Sequence, residues 1–208
     1  MSIFEFHIAE RNLETAELSE LEIASRLFRC TTEIQIILKE IAVSGKAVIT
    51  QEGVRKGAEI IEALSSAPFI VKNDFNILCE PLFMKIESHG NTLTIIGTKS
   101  NFYRTLGKML GAYELPNVFL KNQSTCRFYF YWLKDGRSDK IKLVYKELRD
   151  LLDLKKDNYK AFVHYKRVLT TIQKELKGVG VEMSFTKYPI NEERSSGVEI
   201  EVVEKGNI

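Results

Sequence analysis

Residues 158–177 restrict the fold of this chain more than any other segment. The stretch NYKAFVHYKRVLTTIQKELK contains no glycine and no proline. Its apolar residues recur at helical spacing and predict one core-facing stripe: Phe162, Tyr165, Leu169, Ile172 and Leu176. Polar residues predict a second stripe on the other side of the helix: Lys160, His164, Arg167, Thr171 and Lys174, flanked by Lys166. Asp157 or Asn158 is the expected N-cap of this helix.

The polar stripe has two interpretations. Cations, hydroxyls and an imidazole are donors suited to phosphates and to the acceptor-rich edge of guanine in the major groove. A solvated polar face is equally ordinary for an amphipathic helix. The stripe alone therefore leaves both interpretations open.

Charge is distributed unevenly along the chain. Residues 99–177 carry 18 Lys and Arg and 8 Asp and Glu, a net charge of +10. Residues 1–98 carry a net charge of −5 and residues 178–208 one of −3, which gives +2 for the whole chain. A basic segment between acidic flanks suggests a polyanionic partner, with a solvated basic surface as the alternative.

The order of elements after Ser124 favours DNA recognition. STCRFYFYWLKD predicts a helix capped by Ser124, KIKLV a short strand, and the following leucine-rich stretch an amphipathic helix. The 158–177 helix comes next, and VEMSFTKYPI and GVEIEVVEK predict two strands joined by the loop NEERSS. This is the order of a winged helix, in which the third helix enters the DNA groove.

The first half predicts a similar mixture of elements. We expect an extended segment at residues 3–9, a helix from about Ser19, and a second helix capped by Thr31 or Thr32. A strand in SGKAVIT and a helix over 51–67 follow. PFIVKN, PLFMKIESHG and NTLTIIGT predict strands, the last two joined by a hairpin turn at HGN. A helix capped by Ser100 or Asn101 completes this half.

The second half resembles the iteron-binding plasmid replication initiators. The resemblance is carried by STCRFYFYWLK, VYKELRDLLDL, YKAFVHYKRVLTTIQKEL and the strand pair after them. HYKRVL at residues 164–169 stands where that family has the basic group of its recognition helix. Residues 1–123 match the family only in general layout.

The resemblance implies an α+β fold of two winged helices in tandem, at residues 1–121 and 122–208. It implies a protein without enzymatic activity or cofactor that binds double-stranded DNA at origin repeats. The implied partners are a replicative helicase, its loader or a host initiator, and the family also forms homodimers that repress their own gene. The expected DNA-binding residues are Lys160, His164, Lys166, Arg167, Thr171, Lys174, Lys142 and Lys187.

Other chemistry has little support in the sequence. His7, His89 and His164 form no HxH pair, so we expect no metal site. No GxxxxGK[ST], GxSxG or HExxH motif occurs. Three separated cysteines, the absence of a secretory signal pattern and the lack of a long apolar run predict a reduced, cytoplasmic chain outside the membrane.

Alternatives remain open at this point. A winged-helix transcription regulator and a protein-binding winged-helix adaptor would share the same pattern. The aromatic run from Phe128 to Trp132 fits a base-stacking platform, but we assign it to packing between helices, because aromatic residues dominate cores and interfaces.

Overall fold

A computed structural model describes residues 19–50, 59, 69–72, 77–80, 83–154, 162–189 and 196–205. The described helices are α1 (Glu20–Leu27), α2 (Thr32–Ser44), α3 (Asn101–Ala112), α4 (Gln123–Lys134), α5 (Tyr145–Leu152) and α6 (Phe162–Lys177). The described strands are β1 (Lys46–Thr50), β2 (Phe69–Lys72), β3 (Ile77–Glu80), β4 (Phe83–His89), β5 (Thr92–Gly97), β6 (Lys140–Val144), β7 (Val181–Pro189) and β8 (Ser196–Glu204). The fold is mixed α+β.

Some expectations lie outside the described residues. They are the extended segment at 3–9, all of the 51–67 helix except residue 59, the N-cap at 157 or 158, and the 191–195 part of the loop before β8.

Side-chain caps fix the starts of the helices. The hydroxyl of Ser19 accepts the N–H of Glu22, and that of Ser100 accepts the N–H of Tyr103. Thr31 caps α2 in the same way. The expected cap at Ser124 is wrong, because α4 begins at Gln123 with Asn122 as its N-cap, and Asn122 Oδ1 accepts the N–H of Ser124 at 2.9 Å. Ser124 instead donates its hydroxyl to the carbonyl of Leu152.

The first sheet has the strand order β1-β5-β4, with both pairs antiparallel. Strands β4 and β5 form the expected hairpin, and Gly90 takes a positive φ of 58° in its turn. Strands β2 and β3 form a separate two-stranded sheet. Strand β3 was not expected, because its four residues carry too short a pattern to distinguish a strand from a loop.

The second sheet has the order β6-β8-β7, again antiparallel throughout. Its plan repeats that of the first sheet. In the first sheet, β1 follows α2 and pairs with β5, the second strand of the β4–β5 hairpin. In the second sheet, β6 follows α4 and pairs with β8, the second strand of the β7–β8 pair. The two halves therefore share a strand order in the parts of the chain that the structure describes.

Helix α6 has the two faces that the sequence predicts. Tyr165, Leu169, Ile172 and Leu176 are buried, and Phe162 at the start of the helix is partly buried. The opposite residues are exposed. The inner face packs against β7 and α4, which places the outer face of the helix in solvent.

The aromatic helix α4 is internal. Phe128, Tyr129, Phe130 and Trp132 are buried, and Tyr129 meets Phe28 of α1 edge to face at 5.4 Å between ring centroids. The assignment of these rings to helix packing is confirmed, since buried rings offer no platform to a base.

Among the described residues, no helix is long and apolar enough to cross a membrane.

We expect Leu169→Ala to destabilise the fold by roughly 2–5 kcal/mol, because it removes a fully buried side chain from the inner face of α6. Val163→Ala is the matched control on the same helix, since Val163 is 64% exposed. Chemical denaturation of both variants provides the measurement. Wild-type stability in Leu169→Ala would show that the faces are reversed.

The chain has one tryptophan, Trp132, which is 2% exposed and donates its indole N–H to the carbonyl of Ser138 at 3.1 Å. We expect its fluorescence to be blue-shifted and resistant to acrylamide quenching, and both properties to disappear in guanidinium. Quenching of the folded protein at the rate of free tryptophan would contradict the internal position of α4.

Candidate nucleic-acid interface

The outer face of α6, as we use the term, consists of His164, Lys166, Arg167, Thr171 and Lys174, all of them exposed. The Thr171 hydroxyl donates to the carbonyl of Arg167 at 3.2 Å, so the oxygen of Thr171 remains an acceptor toward solvent. The other four side chains include three cations and an imidazole. The face can therefore offer several donors to an anionic or acceptor-rich surface.

The lysines and the arginine of this face form no ion pair with a described carboxylate, although Glu182 and Glu201 line one cavity with Lys174. In the part of the chain that the structure describes, no carboxylate lies within 4.0 Å of Lys166, Arg167 or Lys174. The one acidic residue of α6, Glu175, turns to the chain before α4. Its carboxylate accepts the backbone N–H of Lys121 and, at 3.1 Å, that of Asn122.

Three neighbours hold α6 in place. The Tyr165 hydroxyl donates to the carbonyl of Tyr145 at the start of α5, and the two rings stack with centroids 4.6 Å apart. Gln173 donates its side-chain amide to the carbonyl of Met183 on β7 at 2.6 Å. Glu175 supplies the third attachment through the segment before α4. These contacts set which side of the helix packs inward and leave the outer face toward solvent.

Lys187 lies on the same side of the sheet as α6. Lys187 lies two residues after Phe185 and four after Met183, so its side chain is on the same side of β7 as theirs. The side chains of Met183 and Phe185 point to the helix side of the strand. The chain reverses between α6 and β7 at residues 178–180, so later residues of β7 lie beside earlier residues of α6. Exposed Lys187 therefore lies on the helix side of β7, four residues beyond the contact of Met183 with Gln173.

Lys142 does not join this surface. Its neighbours along β6, Ile141 and Leu143, are buried, so Lys142 points to the other side of the sheet. There its ammonium is 3.8 Å from the Glu199 carboxylate, which also binds Lys140 at 2.8 Å. The structure thus separates Lys142 from the α6 stripe. Lys160 lies outside the described residues.

The sequence analysis missed two residues that shape this surface. Lys177 is exposed one turn after Lys174 and extends the row of cations, and the spacing of three residues was a usable signal. Glu175 anchors the helix, but its partners are more than 50 residues away in the chain, which no local pattern reveals.

The described residues show no competing chemical centre. Among them, no group of three or more His, Cys, Asp or Glu side chains is placed to hold a metal. Burial raises the pKa of the Cys126 thiol to about 12 and that of Cys30 to about 11. Both thiols are therefore protonated at neutral pH and unsuited to nucleophilic chemistry.

Comparison with known proteins adds no family assignment. No protein-family model matches the chain, and no curated protein is significantly similar to it. The case for any function of this surface therefore rests on its own geometry and charge.

Proposed function

We propose that the protein binds double-stranded DNA sequence-specifically, with α6 as its recognition helix and no enzymatic step. The observation that carries this proposal is the outer face of α6, a row of exposed cations that form no ion pair with a carboxylate among the described residues. An α-helix fits the major groove, where arginine and lysine bind guanine and the flanking phosphates.

The order of elements supports a winged-helix arrangement for residues 122–208. Helix α4 is followed by β6, α5, α6, β7 and β8, and β8 lies between β6 and β7. In such an arrangement α6 is the third helix and β7–β8 the wing. The shared strand order of the first sheet supports a second copy of this arrangement at residues 1–121.

The biological role that we propose is replication initiation at an origin with repeated sites. It rests on the resemblance of STCRFYFYWLK, VYKELRDLLDL and YKAFVHYKRVLTTIQKEL to the iteron-binding initiators. A replicative helicase, its loader or a host initiator would then be the protein partners, and a homodimer a second state of the chain.

Footprinting on the DNA that flanks the gene tests the role. Protection of several direct repeats beside an AT-rich tract is expected for an initiator. Protection of a single site over the promoter would favour a transcription regulator. Absence of any footprint, together with no retention on heparin, would favour a protein-binding adaptor and overturn the DNA proposal.

We expect Arg167→Ala to weaken binding to the footprinted site by about 1–3 kcal/mol, or roughly fivefold to 150-fold in Kd, because it removes a base contact at the centre of the outer face. Arg29→Ala is the matched control, since Arg29 is also exposed but lies after α1, where its Nε donates to the Ser25 carbonyl. Titrations by fluorescence anisotropy give both constants. Equal losses in the two variants would show that net charge, and not α6, governs affinity.

Salt dependence distinguishes phosphate contacts from base contacts. We expect Lys174→Gln to reduce the slope of log K against log salt by about one and to weaken all duplexes alike. Lys140→Gln is the control, because Lys140 lies on the other side of the sheet and pairs with Glu199 and Glu201. A reduced slope in Lys140→Gln but not in Lys174→Gln would show that phosphates contact the Lys140 side of the sheet and not α6, which would contradict the proposal.

A further inference from the structure

Strand β1 is an edge of the first sheet, and the backbone groups along its outer side are accessible. The strand order β1-β5-β4 leaves β1 with one neighbour among the described residues. Just before β1, the carbonyl of Gly45 accepts the N–H of Gly97, and residues that bond to β5 alternate along the strand from that point. Lys46, Val48 and Thr50 therefore direct their N–H and C=O groups away from β5, and all three residues are exposed.

Side chains from the end of α2 engage this edge only in part. The Glu40 carboxylate accepts the N–H of Val48 at 3.4 Å, and the Ser44 oxygen accepts that of Lys46 at the same distance. Both contacts are longer than ordinary hydrogen bonds. The carbonyl of Val48 and both backbone groups of Thr50 show no hydrogen-bond partner among the described residues. An accessible edge of this kind can take an additional strand.

The outer face of α2 borders this edge and carries exposed apolar side chains. Ile36, Glu40 and Val43 lie on one stripe of the helix, and Ile36 and Val43 are 52% and 76% exposed. The contact of Glu40 with the N–H of Val48 places this stripe beside β1, where the Val48 side chain is itself 49% exposed. Three of the six large hydrophobic residues that are exposed in the described part of the chain thus lie on one surface.

The charge of this surface favours a basic partner. Glu40 is exposed and forms no ion pair with a cation among the described residues. Residues 1–98 as a whole carry a net charge of −5. A second copy of the chain fits the edge poorly, because antiparallel pairing of two β1 strands about Val48 would bring two Glu40 carboxylates together near the twofold axis.

We propose that an extended segment of a partner protein adds to β1 as an antiparallel strand, with a basic side chain toward Glu40. Residues of this segment that lie opposite the three outward residues of β1 would exchange backbone hydrogen bonds with them. The residues between them would face α2, where a lysine or arginine meets Glu40 and apolar side chains meet Ile36 and Val43. The surface shares no residue with the outer face of α6, so the inference is independent of the proposed DNA binding.

The test is fluorescence anisotropy of the full chain with a fluorescein-labelled, amidated peptide of the sequence Thr-Val-Thr-Lys-Thr-Val-Thr. We expect N-methylation of the two threonines beside the lysine to weaken binding at least tenfold, because their N–H groups would point to β1. N-methylation of the two valines, whose N–H groups would point away, is the matched control and should preserve binding. Equal affinities of the two methylated peptides, or no binding of the unmodified peptide at millimolar concentration, would overturn the proposal.

A charge reversal tests the role of Glu40. Glu40→Lys should weaken binding of the unmodified peptide at least tenfold, and a peptide with glutamate in place of its lysine should bind this variant more tightly than the wild type. Asp150→Lys is the matched control, since Asp150 is exposed on α5 and the change in net charge is the same. Equal losses in the two variants would show that net charge governs binding and would overturn the proposal. A wild-type dimer in sedimentation velocity that excludes the peptide would assign the edge to a second copy, and would overturn it as well.

Discussion

The rest of the structure depends on the burial of the aromatic helix α4. Its rings pack against α1 on one side, and α5 and α6 contact it on others. Aromatic side chains bury large areas and prefer edge-to-face geometry, so the helix contributes both stability and orientation. Polar contacts then fix its neighbours: Arg127 donates its Nε to the Leu151 carbonyl at 2.8 Å and so fixes the end of α5. The position of α6 is therefore set by a core element and not by the surface that it presents.

Residues 113–122, between α3 and α4, connect the two halves, because they form hydrogen bonds with side chains of both α2 and α6. Gln35, which is fully buried, donates to the carbonyls of Cys30 and Val118 at 2.8 and 2.6 Å. One turn later Lys39 donates to the Leu115 carbonyl at 2.6 Å, and burial lowers the pKa of its ammonium to about 8. With Glu175 accepting N–H groups at the other end, this segment is bound by side chains from both halves. The segment thus connects α2 and α6 through hydrogen bonds.

Local patterns predicted much of this fold, and non-local contacts account for what they missed. The start of α1 near Ser19, the cap at Ser100 and the two faces of α6 depend on residues within one or two turns, so the sequence shows them directly. The placement of Lys142 depends on which side of the sheet faces the helices, and the role of Glu175 depends on a distant segment. The close packing of Ile41 and Tyr103 around the end of β5 was equally invisible, because it depends on the absence of a side chain at Gly97.

The distribution of acidic residues explains why the outer face of α6 keeps its charge. In the described second half, the carboxylates of the hairpin are engaged elsewhere. Glu199 and Glu201 hold Lys140, Glu204 holds Arg137, and Glu182 holds Lys205. Each of these pairs has at least one exposed partner, so each contributes little stability. Because these carboxylates pair with cations outside α6, they form no ion pair with the cations of the helix, although Glu182 and Glu201 line one cavity with Lys174. A phosphate backbone that approaches this half would meet, along α6, cations that form no ion pair with a described carboxylate, and these cations favour its approach to the helix before any base is contacted.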